Sequence, residues 1–124
     1  MNKRIRNSMT VKIEFFKDHS EPTLPIIRLT KSRNKTTGTA TFLFVRPSLF
    51  DLMKNNVESL QKMSLLWDNK SIITFDITIL FHKGKPFVIK SIFIFKNTNE
   101  WFQFLNFMQH YCKETGVSFT KFQP

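Results

Sequence analysis

Short runs of alternating apolar and polar residues fill most of this chain, and one late stretch switches to a helical period. Val11–Phe16, reading VKIEFF, sets Val11, Ile13 and Phe15 on one face and Lys12 and Glu14 on the other. That alternation predicts a half-buried strand. Pro22 and Pro25 punctuate a loop before a second run, residues 26–30. In the third run, residues 39–45, Ala40, Phe42 and Phe44 share one face, while Thr39, Thr41, Leu43 and Val45 share the other. Two faces that are apolar or threonine-rich suit a strand inside a sheet rather than at its edge.

Pro47 ends that strand, and Leu49, Phe50, Leu52 and Met53 form either a short helical turn or a packed loop. Residues 63–67 resume an extended pattern, and Asp68-Asn69-Lys70 reads as a tight turn. Residues 72–81 predict one long strand with Ile73, Phe75, Ile77, Ile79 and Phe81 on its apolar face. His82-Lys83-Gly84-Lys85 follows as a hairpin loop, with Pro86 at the start of the next strand, where its missing N–H is tolerated. Residues 97–113 then change period. Trp101, Phe104, Leu105, Met108, Tyr111 and Cys112 recur at the spacing of a core-facing helical stripe. Asn97 is placed to cap this helix, Glu100 to complete a capping box, and Gly116 to terminate it. Residues 117–122 predict a last strand. The order β-β-β-(short helix)-β-β-β-α-β predicts an α+β fold, an antiparallel β-sheet with one long C-terminal helix packed on it. Residues 1–10 read as a basic flexible tail and 11–122 as a single domain.

Composition changes this picture in two ways. Fifteen phenylalanines in 124 residues fall within the patterned segments, so they read as core. The formal charge of +10 is uneven: residues 1–35 hold nine Lys and Arg against three acids, and residues 36–124 hold ten against six. Such a field favours acidic protein faces, anionic headgroups or nucleic acid without choosing among them.

The chemistry of catalysis is sought in vain along the chain. His19, His82 and His110 share no metal-ligand spacing, and one cysteine, Cys112, offers neither a disulfide nor a metal site. His110 lies two residues from Cys112 on a helix and hence points elsewhere, so Cys112 reads as a small buried apolar side chain. Asp76 and Glu14 form no carboxylate pair, and three glycines build no phosphate-cradling loop. The chain reads as a non-enzyme that needs no cofactor or metal. No run reaches the ~20 apolar residues that span a bilayer, and the N-terminus lacks the apolar region of a secretory signal.

What remains is the segment RLTKSRNKTTGTATFLFVRP, residues 28–47. Its loop joins two strands and carries cations without a single acid. Arg28, Lys31, Arg33 and Lys35 are the candidate contacts for an acidic partner, since a guanidinium grips a carboxylate with two hydrogen bonds. Trp67, beside a turn, is a candidate interface anchor, whereas Trp101 reads as core.

The same segment, with HKGKPFVIKSIFIF, NEWFQFLNFMQHY and GVSFTKF in the same order, resembles the Psb28 family of photosystem II assembly proteins. The likeness runs from about Val11 to Lys121. It departs at Asp68-Asn69-Lys70, where a glycine-containing turn is common in the family, across residues 48–61, and in the N-terminal tail. The resemblance implies an antiparallel sheet with a long helix. It also implies a protein bound transiently and peripherally to photosystem II assembly intermediates at the thylakoid membrane. Its partners would be core-antenna and reaction-centre proteins, on the stromal side in a plastid or the cytoplasmic side in a cyanobacterium. The rival reading is a basic RNA-binding β protein. It lacks the RNA-recognition-motif signature, and its phenylalanines alternate inward rather than forming a stacking platform, so no nucleic-acid partner is expected.

Overall fold

The computed structural model describes residues 11–33, 37–54, 56–118 and 120–121. Nine strands and two α-helices follow one another in these residues: β1 (Val11–Phe16), β2 (His19–Ser20), β3 (Ile26–Lys31), β4 (Gly38–Val45), α1 (Leu49–Met53), β5 (Met63–Trp67), β6 (Lys70–Thr74), β7 (Ile77–His82), β8 (Lys85–Phe95), α2 (Thr98–Thr115) and β9 (Thr120–Lys121). A 3-10 turn, Val57–Ser59, follows α1. The α+β reading holds, with the strands shared between two sheets rather than laid in one. The first sheet has the order β2-β1-β5-β6, and the second β7-β8-β4-β3-β9. Every pairing is antiparallel except β3 with β9.

The one long strand that the alternation of residues 72–81 predicts is divided between the two sheets. The chain breaks at Phe75-Asp76, leaving β6 in the first sheet and β7 in the second. Thr74 explains the crossing. Its hydroxyl donates to the Ile92 carbonyl (2.5 Å) and accepts from the Asp76 N–H (3.1 Å), while the Ile92 N–H donates to the Asp76 carbonyl (3.0 Å). The chain is thereby handed from one sheet to the edge of the other. The expected common face of Ile73, Phe75, Ile77, Ile79 and Phe81 does not exist. Ile77 and Ile79 pack against the core, whereas Phe75 is 73% exposed.

The buried faces meet through phenylalanine. Phe15 of β1 packs edge-on to Phe44 of β4, ring centroids 5.1 Å apart, joining the two sheets. Helix α2 closes the core: Phe104 lies 6.1 Å from Phe42, 6.4 Å from Phe93 and 4.8 Å from Phe95. Pairs of this kind contribute about 0.5–1.5 kcal/mol each beyond the burial of their area. The helical period places Trp101, Phe104, Met108 and Tyr111 inside as expected. Phe107 is buried with them, and Leu105 and Cys112 sit at the margin.

Both ends of α2 follow local rules. The Glu100 N–H donates to Asn97 Oδ1 (2.9 Å), and Glu100 Oε1 accepts from the Lys96 N–H (2.8 Å), one residue earlier than the usual box. Gly116 adopts φ 78° and returns its N–H to the Cys112 carbonyl at 2.9 Å, the left-handed cap that glycine takes without a side-chain penalty. The segment after Pro47 is tied down by a residue that the sequence pattern does not single out. The buried carboxylate of Glu21 accepts from the N–H groups of Thr23, Ser48 and Leu49 and from the Ser48 hydroxyl, all within 3.0–3.1 Å.

Candidate docking surface

Strands β3 and β4 pair in register from Ile26–Leu43 to Lys31–Gly38, and the hairpin is closed by Ser32 N–H to Thr37 carbonyl at 3.0 Å. This pairing fixes where the basic residues point. Along β3, Ile27 and Leu29 face the core while Ile26, Arg28 and Thr30 face out. Arg28 is opposite Thr41 on one side and Thr120 on the other, on the outer face of the five-stranded sheet. Lys31 has the opposite parity. It is half-buried, and its amine sits 5.5 Å from the centroid of the Trp101 ring. Arg33 is exposed in the turn. Lys35 lies outside the described residues.

The expected cationic group is therefore divided. Arg28 and Lys31 project to opposite sides of one strand, because neighbouring side chains at odd separation alternate across a sheet. Lys31 also has a partner inside the molecule, since the face of an indole attracts an ammonium. Arg28, Lys31 and Arg33 form no ion pair among the described residues; the one His110 makes with Asp68, at 4.0 Å, is elsewhere.

Gly38 shapes this end of the hairpin. A Cβ at Gly38 would stand 2.8 Å from the Thr30 carbonyl oxygen and 2.8 Å from the Trp101 ring. The indole lies on bare backbone there, edge-on to Phe95 at 5.5 Å and beneath Lys31. The start of α2, the start of β4 and the end of β3 are locked by that contact.

Trp67 corrects another expectation. It is 2% exposed, so it is no surface anchor. Strand β5 buries alternate residues, Met63, Leu65 and Trp67, and α2 covers the last of them. Its indole N–H donates to Asn106 Oδ1 (2.7 Å), and its ring stands edge-on to Phe107 at 5.5 Å.

Tyr111 is buried in the core and Cys112 sits at its margin. Burial, with smaller contributions from Cys112 and Glu21, pushes the Tyr111 phenol up to about 12. Burial likewise raises the Cys112 thiol, which works against the thiolate a nucleophile requires. No group of three or more His, Cys, Asp or Glu side chains comes together among the described residues. No described helix is long and apolar enough to cross a membrane.

A second basic end escapes the reading of the sequence as a docking site. The β7–β8 hairpin turns through Lys83 (φ 52°) and Gly84 (φ 78°), two consecutive left-handed residues that make a tight, twist-matched turn. Arg46, just past β4, donates its N–H to the Phe87 carbonyl (2.8 Å), and its guanidinium lies 5.2 Å from the Phe87 ring. The signal in the sequence was an acid-free run from residue 77 to residue 99 that carries four lysines.

A small α+β domain with cationic strand ends at both extremes of one sheet is the class of protein defined by this fold and surface. Comparison with known proteins narrows the class. The family model described as Psb28 protein matches residues 13–119. The chain is 39% identical over 113 residues to the Photosystem II reaction center Psb28 protein of Trieres chinensis, covering 91% of this chain and 98% of that one. It is 36% identical over 109 residues to the protein of that name from Pyropia yezoensis, covering 88% and 95%. With the one from the cyanobacterium Trichormus variabilis it shares 34% over 110 residues, 89% and 97% of the two chains. This chain belongs to the Psb28 family.

Proposed function

We propose that this chain is a non-catalytic assembly factor that docks transiently on photosystem II assembly intermediates. Its place would be peripheral, on the stromal face of a plastid thylakoid or the cytoplasmic face of a cyanobacterial one. Its partners would be the core-antenna and reaction-centre subunits. The names of the relatives supply photosystem II, and the surface supplies the means. The observation that carries the reading is that Arg28, on the outer face of β3, and Arg33, in the turn beyond it, lie exposed without a carboxylate partner of their own among the described residues. A cation so placed leaves its hydrogen-bonding capacity for another molecule. The narrower grip consists of the two arginines. Lys31 helps hold the hairpin instead, and Trp67 belongs to the core. Strand β7, an edge of the five-stranded sheet, offers in addition a row of main-chain groups to an extended tail.

Tagged protein recovered from thylakoid extracts, with its partners identified by mass spectrometry, tests this directly. Arg28→Ala with Arg33→Ala should reduce recovery of photosystem II subunits while the circular dichroism stays that of the parent. Undiminished recovery would remove the two arginines from the mechanism.

A further inference from the structure

The opposite end of the same sheet has a different character. Val45, Val88 and Leu80 are aligned in register across β4, β8 and β7, so their side chains make one apolar row on the outer face. Two of the three are well exposed, Val45 at 42% and Leu80 at 43%. Next to this row the register slips. Leu80 pairs with Val88 but Phe81 pairs with Pro86, which inserts Phe87 as an extra residue on β8. A bulge of this kind twists and re-aims the end of a hairpin. Beyond it Phe81 is 58% exposed, and His82, Lys83, Gly84 and Lys85 are all exposed.

Phe81, one residue on from Leu80, faces the other side of β7 and stands beside the exposed turn that carries Lys83 and Lys85. Arg46, Lys83 and Lys85 form no ion pair among the described residues. Neither strand of the hairpin contains an acid. A protein partner for an exposed phenylalanine would need a matching socket. A fluid headgroup layer needs none, since it deforms around a convex tip, takes up the ring at its boundary and attracts each lysine from a distance.

We infer that the β7–β8 hairpin is a membrane-surface element. Phe81, beside the turn, enters the headgroup boundary of an anionic bilayer, while Lys83, Lys85 and Arg46 lie against its phosphates. This goes beyond docking on a protein complex and stands or falls independently of it.

The test uses the full chain and lipid vesicles that hold no protein. Sedimentation with mixed phosphatidylcholine–phosphatidylglycerol vesicles should carry the protein down, and pure phosphatidylcholine should not. Added salt should release it. Lys83→Ala with Lys85→Ala should weaken the partition by roughly thirty-fold, about five-fold for each lysine near an anionic surface. Phe81→Ser should weaken it severalfold without altering the circular dichroism. As a second measurement, Phe81→Trp should give an emission that shifts to the blue on vesicles and is quenched by brominated lipid, against the constant background of the buried Trp67 and Trp101. Failure to bind the anionic vesicles, or equal binding to neutral ones, overturns the inference. So does binding that survives the hairpin substitutions and is lost with Arg28→Ala and Arg33→Ala. Loss of photosystem recovery by the hairpin variants of a protein that ignores vesicles would assign the tip to a protein partner and likewise overturn it. Recovery of photosystem II subunits by the Arg28→Ala, Arg33→Ala protein is read separately, so failure of this inference and failure of the two-arginine grip remain distinguishable.

Discussion

Two basic hairpins stand at opposite ends of the five-stranded sheet, and the molecule holds them differently. At the β3–β4 end, Lys31 lies over Trp101, and the same ring rests on Gly38 where no Cβ could fit. At the β7–β8 end, the tight turn through Lys83 and Gly84 stands clear of the core, with Phe81 mostly exposed. One hairpin takes its shape from tertiary packing, while the other takes it from its own turn and bulge. A cation count alone would treat them alike. The difference lies in what each aromatic neighbour does, since Trp101 is buried beneath its lysine and Phe81 is presented beside its own.

The contrast predicts a graded series of stability effects. Trp101→Ala removes the platform and should cost about 3–5 kcal/mol, the range for deleting a large buried aromatic. Urea unfolding measures it. A cost below about 1 kcal/mol would show that the first hairpin does not depend on the indole. Gly38→Ala forces a methyl group against the Thr30 carbonyl and the Trp101 ring, and should cost about 1–3 kcal/mol in the same assay. Amide exchange around residues 30–40 should rise with it. Lys31→Ala removes only a half-buried cation over a ring, so a loss of about 0.5–1 kcal/mol is expected. A larger loss would mean that the ammonium anchors the hairpin in its own right. Lys83→Ala and Phe81→Ser, at the free tip, should stay within about 0.5 kcal/mol of the parent. If Phe81→Ser instead unfolds the protein as Trp101→Ala does, the two hairpins are not held differently and the comparison collapses.

Local pattern carried much of this architecture. VKIEFF, the alternation of residues 39–45 and the stripe from Trp101 to Tyr111 each form the element their period predicts, because burying one face of a strand or helix requires that period. Asp68-Asn69 and Lys83-Gly84 turn the chain where turn chemistry says they should. The run of residues 72–81 departs from its pattern for an equally physical reason. Alternation continues through Phe75, and nothing local announces that Thr74 will bond to Ile92, eighteen residues away, and carry the chain into another sheet. The candidate site was legible to a similar degree. Arg33 is where a basic loop should expose it, but the exposure of Arg28 and its division from Lys31 depend on which face of β3 meets α2.

The sequence by itself determined the kinds of element, the capped helix, the excess of positive charge and the family to which the chain belongs. All of these depend on the periodicity, composition and order of residues along one dimension. Tertiary structure alone decided that the strands form two sheets, that Trp67 is roofed by α2, that Glu21 clamps the segment after Pro47, and that one basic hairpin is tethered while the other is free. Each of those outcomes depends on a contact between residues remote in sequence, and such a contact forms only when packing brings both partners to the same place.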